Sequence, residues 1–364
     1  MSEARTPRTP DAGTPDASWE TPVVAVVVTH NRLALLKGCL AAIHGQEPRP
    51  DRIVVVDNGS SDGTAEWLAE QRAAMPELQV VRQANVGSAG AYHTAFDTAL
   101  SLGARWIWST DDDGIPAPGA LAELLRQGER HGLDLVGPTV VAAEDQDDLA
   151  FTLQGFTKAD AFTALARDGI VPGAIALFNG TLLRRRVFER IGNIKREMFI
   201  WGDEWEFTLR ARRAGLRDGT AVHALHVHPR NRRTQRPLAG GLLGTVEEMP
   251  ENRAPYFFRN MGYIHATYER KAIARMMVKY TLYYLLHRRA DLKGLRGFWT
   301  HYRAGLRNLY PDDLRASPTA AAPAAPPRSF PLCVLKWAAC CGISASSVGW
   351  RPAPRLGPSG PPPC

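Results

Sequence analysis

Cysteine is nearly absent from the body of this chain: Cys39 is alone in the first 332 residues, and Cys333, Cys340, Cys341 and Cys364 all fall near the end. That excludes a disulfide framework and the paired-cysteine spacing of structural zinc, and it fits a reducing cytoplasm. No stretch supplies the ~20 consecutive apolar residues of a membrane span. The glycine-rich fingerprint of a dinucleotide-binding turn is missing after the first strand-like run. Residues 1–21, rich in Thr, Pro, Ala and charge, lack an apolar segment and are expected to be a disordered tail, not a signal peptide.

What is there is an ordinary globular composition. The 364 residues are 45% hydrophobic and 22% charged, enough for one large or two modest domains with a buried core. The net charge of +7 suits an anionic partner such as nucleotide phosphates, a lipid surface or nucleic acid. Its arginines, at 184–190, 210–217 and 230–236, are scattered over helices and a loop without a nucleic-acid-binding motif, so nucleic acid is not expected as a partner.

The run Val23 to Val28 is almost wholly β-branched and reads as a strand buried on both faces. Helical periodicity follows at Leu33, Leu36, Leu40 and Ile43, then a second strand at Ile53 to Val56, a helix containing Trp67 and Leu68, a strand at Leu78 to Arg82, and a helix to about Leu102. A fourth strand, Trp106 to Thr110, delivers Asp111, Asp112 and Asp113. Every polar motif thus falls at the carboxyl end of a strand, where ligands bind in doubly wound α/β sheets. Further along, residues 115–131 read as helix, Leu133 to Val141 as strand, 142–168 as irregular structure, and Ile175 to Phe178 as an apolar run leading into Asn179 and Gly180. A basic helix is expected from about Arg184 to Ile191, and another opens around Phe199 to Glu206. In the strand Thr220 to His228, alternation puts His226 and His228 on one face and His223 on the other.

Three adjacent carboxylates are tolerated in a solvated turn or around a cation, and the triplet alone fits either an acidic turn or a hard divalent metal site. Pro229 to Pro255 lacks periodicity and reads as a flexible loop or lid, 231–255. In the extension 256–316, Lys271, Arg275 and Lys279 recur four apart, which makes 271–289 either a membrane-surface helix or the solvated face of a core-packing one. Residues 317–364 form a Pro/Ala-rich tail with no assignable fold.

Taken in order, VVVTHNR, IVVVDNGSSDGT, NVGSAG, the DDD triplet, FNGTLLRR and WGDEWEFTLR resemble the family 2 glycosyltransferases of GT-A fold, most of all bacterial rhamnosyl and galactofuranosyl transferases of cell-envelope polysaccharides. The resemblance runs from about Val23 to His228. It implies a mixed, mostly parallel doubly wound domain over 22–230 with a C-terminal helical extension. It also implies an inverting transfer from a UDP- or dTDP-sugar to a hydroxyl of a lipid-linked or polysaccharide acceptor, at the cytoplasmic face of the membrane. By the same resemblance Asp111 and Asp113 hold manganese or magnesium with His228 as third ligand, and Asp111 and Asp112 serve the donor. Asp57 bonds the pyrimidine base, Thr29, Arg32, Asn85 and Gly87 complete the nucleotide pocket, and Glu204 or its neighbour Asp203 is the base that deprotonates the acceptor. A metal-dependent phosphohydrolase built on the aspartates and His226-x-His228 is the rival class, although no nucleophile-bearing signature accompanies the first strand.

Overall fold

The computed structural model describes residues 22–230, 235–242 and 244–311; the tails expected at 1–21 and 317–364 lie outside the described residues. Strand β1 (Val23–Thr29) is buried along its whole length, as a β-branched run predicts. Its residues alternate between two cores. Val23, Ala25 and Val27 pack with Leu36, Cys39, Leu40 and Ile43 of helix α1 (Leu33–His44), whereas Val24, Val26 and Val28 face the opposite layer. Strand β2 (Arg52–Asp57), helix α2 (Thr64–Ala74), strand β3 (Leu78–Arg82), helix α3 (Gly87–Ser101) and strand β4 (Trp106–Asp111) follow as the alternation predicts. Ala91, Tyr92, Ala95 and Phe96 of α3 fill the second core. β3, β2, β1 and β4 are adjacent and parallel.

Beyond the aspartates the chain departs from the sequence reading in three places. Ile115–Pro116 is a short strand, β5, and helix α4 begins only at Ala120 (Ala120–His131), because Pro116 and Pro118 interrupt the first turns and Gly119 takes a left-handed φ of 76°. After strand β6 (Leu135–Ala142), the region expected to be irregular contains the antiparallel strands β7 (Asp148–Leu153) and β8 (Phe156–Lys158), and the short helix α5 (Ala159–Thr163). Strand β9 (Ile170–Pro172) comes next, and the following sheet strand is β10 (Asn179–Arg184), downstream of the apolar run at 175–178. Helix α6 (Arg185–Ile191), helix α7 (Asp203–Arg213) and strand β11 (Asp218–His228) complete the domain.

The sheet order is β3-β2-β1-β4-β10-β6-β11-β5. Because β10 is antiparallel to both β4 and β6, and β6 is parallel to β11, the strands β1, β2, β4, β6 and β11 all point the same way. Thr29, Asp57, Asp111 and His228 therefore end on one edge of the sheet. The architecture is the expected α/β mixed sheet with a C-terminal helical extension.

Within the segment expected as a lid, β12 (Gln235–Pro237) pairs with β13 (Thr245–Glu247) in a hairpin, with Leu238 and Val246 buried in the extension's core. The hairpin docks through Lys279, whose ammonium donates to the Thr245 carbonyl (2.7 Å), so this lysine does not join Lys271 and Arg275 in a free basic stripe. Helices α8 (Ala254–Thr267), α9 (Ala272–Leu282) and α10 (Leu292–Leu306) share a core of Phe257, Phe258, Met261, Met276, Tyr280, Phe298 and Tyr302. Among the described residues no helix is long and apolar enough to cross a membrane. α8 and α10 touch backbone to backbone at Gly262 and Gly305, where a Cβ on Gly305 would collide with the Arg259 carbonyl.

A Gly305→Ala substitution is expected to lower stability by about 1–3 kcal/mol through overpacking. Gly297→Ala, on an open part of α10, should be neutral or stabilising by up to about 1 kcal/mol. Denaturant melts of the two variants read the difference.

Candidate active site

The aspartate triplet turns at the end of β4 so that each carboxylate meets a different neighbour. Asp112 points inward, where one oxygen accepts the Thr29 hydroxyl (2.8 Å) and the other the Arg32 guanidinium (3.1 Å). Both of its oxygens thus accept from residues expected to line the nucleotide pocket, and Asp112 braces the turn. Asp113 accepts from Arg32 (2.8 Å) and lies 3.1 Å from His228 Nε2. Asp111 accepts the Tyr92 hydroxyl (2.5 Å). Tyr92 is buried, stacks on Phe178 with ring centroids 3.8 Å apart, and had no signal in the sequence beyond its place on a helix.

His228 and His226 share a face of β11, as alternation predicts, but only His228 reaches the aspartates. His226 is fully buried between Gly114 and Gly180, either of which would collide with its ring if it carried a Cβ. The Nδ1 of His228 faces the Pro229 carbonyl at 2.6 Å. Since a carbonyl only accepts, Nδ1 carries a proton, and Nε2 is the atom turned toward the aspartates. Phe151 of β7 packs on the same ring at 4.9 Å, so the stretch that reads as irregular contributes a wall of the site.

On the other side of β1, Asp57 is fully buried, with one oxygen held by the Ser60 N–H (2.9 Å) and the other without a hydrogen-bond donor, 3.7 Å from Arg82. The next residue, Asn58, donates to the Asn85 side chain (3.1 Å), whose amide nitrogen lies 3.3 Å from His30 Nε2. Gly87 has a structural part as well. Its φ is 78°, and the space of its absent side chain is filled by Phe199, so it permits backbone contact with the segment ahead of α7.

That segment is unusual. Phe199 and Trp201 both have left-handed φ values, 64° and 61°, ahead of Gly202 at 89°. It is held by two buried residues of α8. The Asn260 side-chain amide donates to the carbonyls of Met198 (2.9 Å), Ile200 (3.0 Å) and Trp201 (2.6 Å), and Arg259 donates to those of Glu197 (3.1 Å) and Met198 (2.9 Å). The clamp fixes where α7 begins, and with it Asp203 and Glu204. Asp203 is buried with Oδ2 lacking a partner, whereas Glu204 is exposed and close enough to Tyr92 to disfavour ionisation of the phenol. Glu206 is taken up by structure, bonding Arg210 (3.1 and 2.9 Å) and the Tyr268 hydroxyl (2.7 Å).

The electrostatics follow from this crowding. Burial, then repulsion from Asp113, pushes the Asp111 carboxyl up to about 6. Burial, with Asp111 and Glu206 nearby, pushes Asp203 up to about 7. Burial also disfavours charge on Asp113, but the hydrogen bond and charge of His228 and the charge of Arg32 outweigh it and hold that carboxyl down at about 2. Burial pushes Asp112 up to about 7, with repulsion from Asp113 adding to it and the charge of Arg32 and the Thr29 hydrogen bond opposing it. The site is rich in negative charge with three acids raised, and one ligand atom each from Asp111, Asp113 and His228 lies within 4.8 Å of the others. Two carboxylate oxygens and an oriented imidazole nitrogen fit a manganese or magnesium ion.

The family model "Glycosyl transferase family 2" matches residues 24–192. Galactofuranosyltransferase GlfT1 of Mycolicibacterium smegmatis is 34% identical over 79% of this chain and 97% of its own. The protein of the same name from Mycobacterium tuberculosis is 35% identical, covering 79% and 96%. Undecaprenyl-phosphate mannosyltransferase of Micrococcus luteus is 32% identical over 28% of this chain and 42% of its own. A match of 79% exceeds what the residues up to the end of β11 can supply, so the likeness to the first two extends into the helical extension.

Titration calorimetry with manganese is expected to show affinity lowered by about 10–100-fold in His228→Ala and Asp113→Asn. Tyr92→Phe keeps the ring stack and removes only the donor to Asp111, and about a tenfold loss is expected.

Proposed function

Because the chain belongs to the family 2 glycosyltransferases, we propose that it moves a sugar from a UDP- or dTDP-sugar to a hydroxyl of a lipid-linked or polysaccharide acceptor in cell-envelope glycan synthesis, by an inverting, metal-dependent displacement. The two relatives that it matches over nearly their full length are galactofuranosyltransferases by name, which favours galactofuranose over rhamnose as the sugar. The observation that carries the reading is the gathering of Asp57 and the Asp111–Asp113–His228 group at one sheet edge, with Asp203 and Glu204 of α7 near enough to act electrostatically on Asp111 and on Tyr92. Family membership displaces the phosphohydrolase reading.

Asp111, Asp113 and His228 would hold a manganese or magnesium ion, which when bound supplies positive charge for the departing nucleoside diphosphate. The chain's own residues do the rest. Asp57 offers the oxygen that has no hydrogen bond to the N3–H of a pyrimidine base, with Asn85 at the pocket's side. Thr29 and Arg32 hold the carboxyl groups of Asp112 and Asp113 in place, so that the turn does not reorganise as charge moves. Glu204, the acid of the pair that reaches solvent, takes the proton of the acceptor hydroxyl, and one base suffices for inversion. Asp203, beneath it, is the second candidate, since burial has brought its carboxyl up to about 7.

A membrane-bound acceptor agrees with the outer side of the extension. Leu286 (64% exposed), Leu292 (67% exposed), Val278 and Leu285 are all exposed, within a stretch that also exposes Lys271, Arg275, Arg289 and Lys293. Exposed apolar side chains set among cations suit peripheral contact with an anionic bilayer at the cytoplasmic face.

Thermal-shift measurements with UDP-, dTDP- and GDP-sugars, each with manganese and with EDTA, are expected to show stabilisation by a pyrimidine nucleotide-sugar only in the presence of metal. Stabilisation by none of them overturns the reading. Glu204→Gln is expected to lower kcat by about 10²–10⁴-fold while nucleotide affinity stays unchanged. Such a loss in Asp203→Asn with Glu204→Gln still active would move the base to Asp203.

A further inference from the structure

Arg253 lies just ahead of α8, half-buried, with its guanidinium carbon 5.5 Å from the centre of the Trp201 ring. Trp201 belongs to the clamped segment directly before Asp203 and Glu204, so this arginine stands where the extension meets the rim of the active site. It is also near enough to Arg32 for the two cations to repel, and burial together with that repulsion lowers its pKa. Arg32 is compensated by Asp112 and Asp113. Among the described residues no carboxylate pairs with Arg253.

A half-buried cation set beside another cation and lacking a counter-ion is destabilising until an anion reaches it. Among the described residues no side-chain hydrogen bond takes up the guanidinium, and its planar N–H edges match the oxygens of a phosphate. We propose that Arg253, held on Trp201, is a phosphate-binding residue that the helical extension adds to the active site, taking either the diphosphate of the nucleotide donor or the phosphate of an anionic acceptor. The proposal rests on the transferase reading above and assigns the extension a part in binding substrate.

The test is titration calorimetry on the full chain with manganese. Wild type, Arg253→Ala, Arg253→Lys and Trp201→Leu are each titrated with UDP and UMP, with dTDP and dTMP, and with decyl phosphate at saturating nucleotide. A donor role predicts that Arg253→Ala weakens the nucleoside diphosphate by about tenfold or more while the monophosphate changes less. An acceptor role predicts the same loss for decyl phosphate, with nucleotide binding unchanged. Arg253→Lys, which keeps the charge but not the planar fork, should fall between, and Trp201→Leu should repeat the selective loss if Arg253→Ala does not fold. Affinities within twofold of wild type in every arm overturn the proposal. A wild-type protein that binds no nucleotide with manganese overturns instead the reading on which it rests.

Discussion

Three adjacent aspartates at the end of a buried strand are an electrostatic problem, and much of this sheet edge is arranged as its solution. Desolvation penalises each ionised carboxylate and their proximity penalises them again. Asp112 is answered by Thr29 and Arg32, and Asp113 by Arg32 and His228. Asp111 has only a neutral donor, the Tyr92 hydroxyl, which fixes its orientation without cancelling its charge. The arrangement therefore leaves a residue of negative charge at one place, between Asp111 and the group formed by Asp113 and His228. A divalent cation suits that place better than a further arginine, because it meets several oxygens at once and needs no packing of its own.

What the sequence made legible was local. β-Branched runs, helical periodicity and the acids that end each strand depend on residues a few positions apart, and from them the first four strands, their helices and the line of polar motifs follow. What it hid depends on residues far apart in the chain. The reversal of β10 between β4 and β6 has no local signature, and the β7–β8 hairpin arises from pairing that a weak apolar pattern does not announce. Alternation placed His226 and His228 on one face, yet nothing local could say that Gly114 and Gly180 would close around the first and leave the second to meet Asp113. Gly87 was legible as part of the nucleotide pocket, but the neighbour that needs its empty space, Phe199, lies on a distant loop.

The division into a catalytic domain and a helical extension is clear in the chain and less clear in the chemistry. Ahead of α7 the carbonyls of Glu197, Met198, Ile200 and Trp201 accept from two side chains of α8. Buried carbonyls without donors are costly, and a segment carrying two non-glycine residues at positive φ has little local reason to hold its shape. Asn260 and Arg259 meet both needs, and each is almost fully buried in doing so.

It follows that the position of Glu204 relative to the aspartates depends on the packing of α8 against α10. The close approach at Gly262 and Gly305 sets the depth of α8, and α8 in turn sets the clamp. The likeness to the two galactofuranosyltransferases runs on into this region, past the span of the family model. A family 2 domain cut after β11 would keep every acid named in the site and lose the donors that fix where two of them begin. The extension is thus better regarded as the far wall of the active site than as an appendage to it.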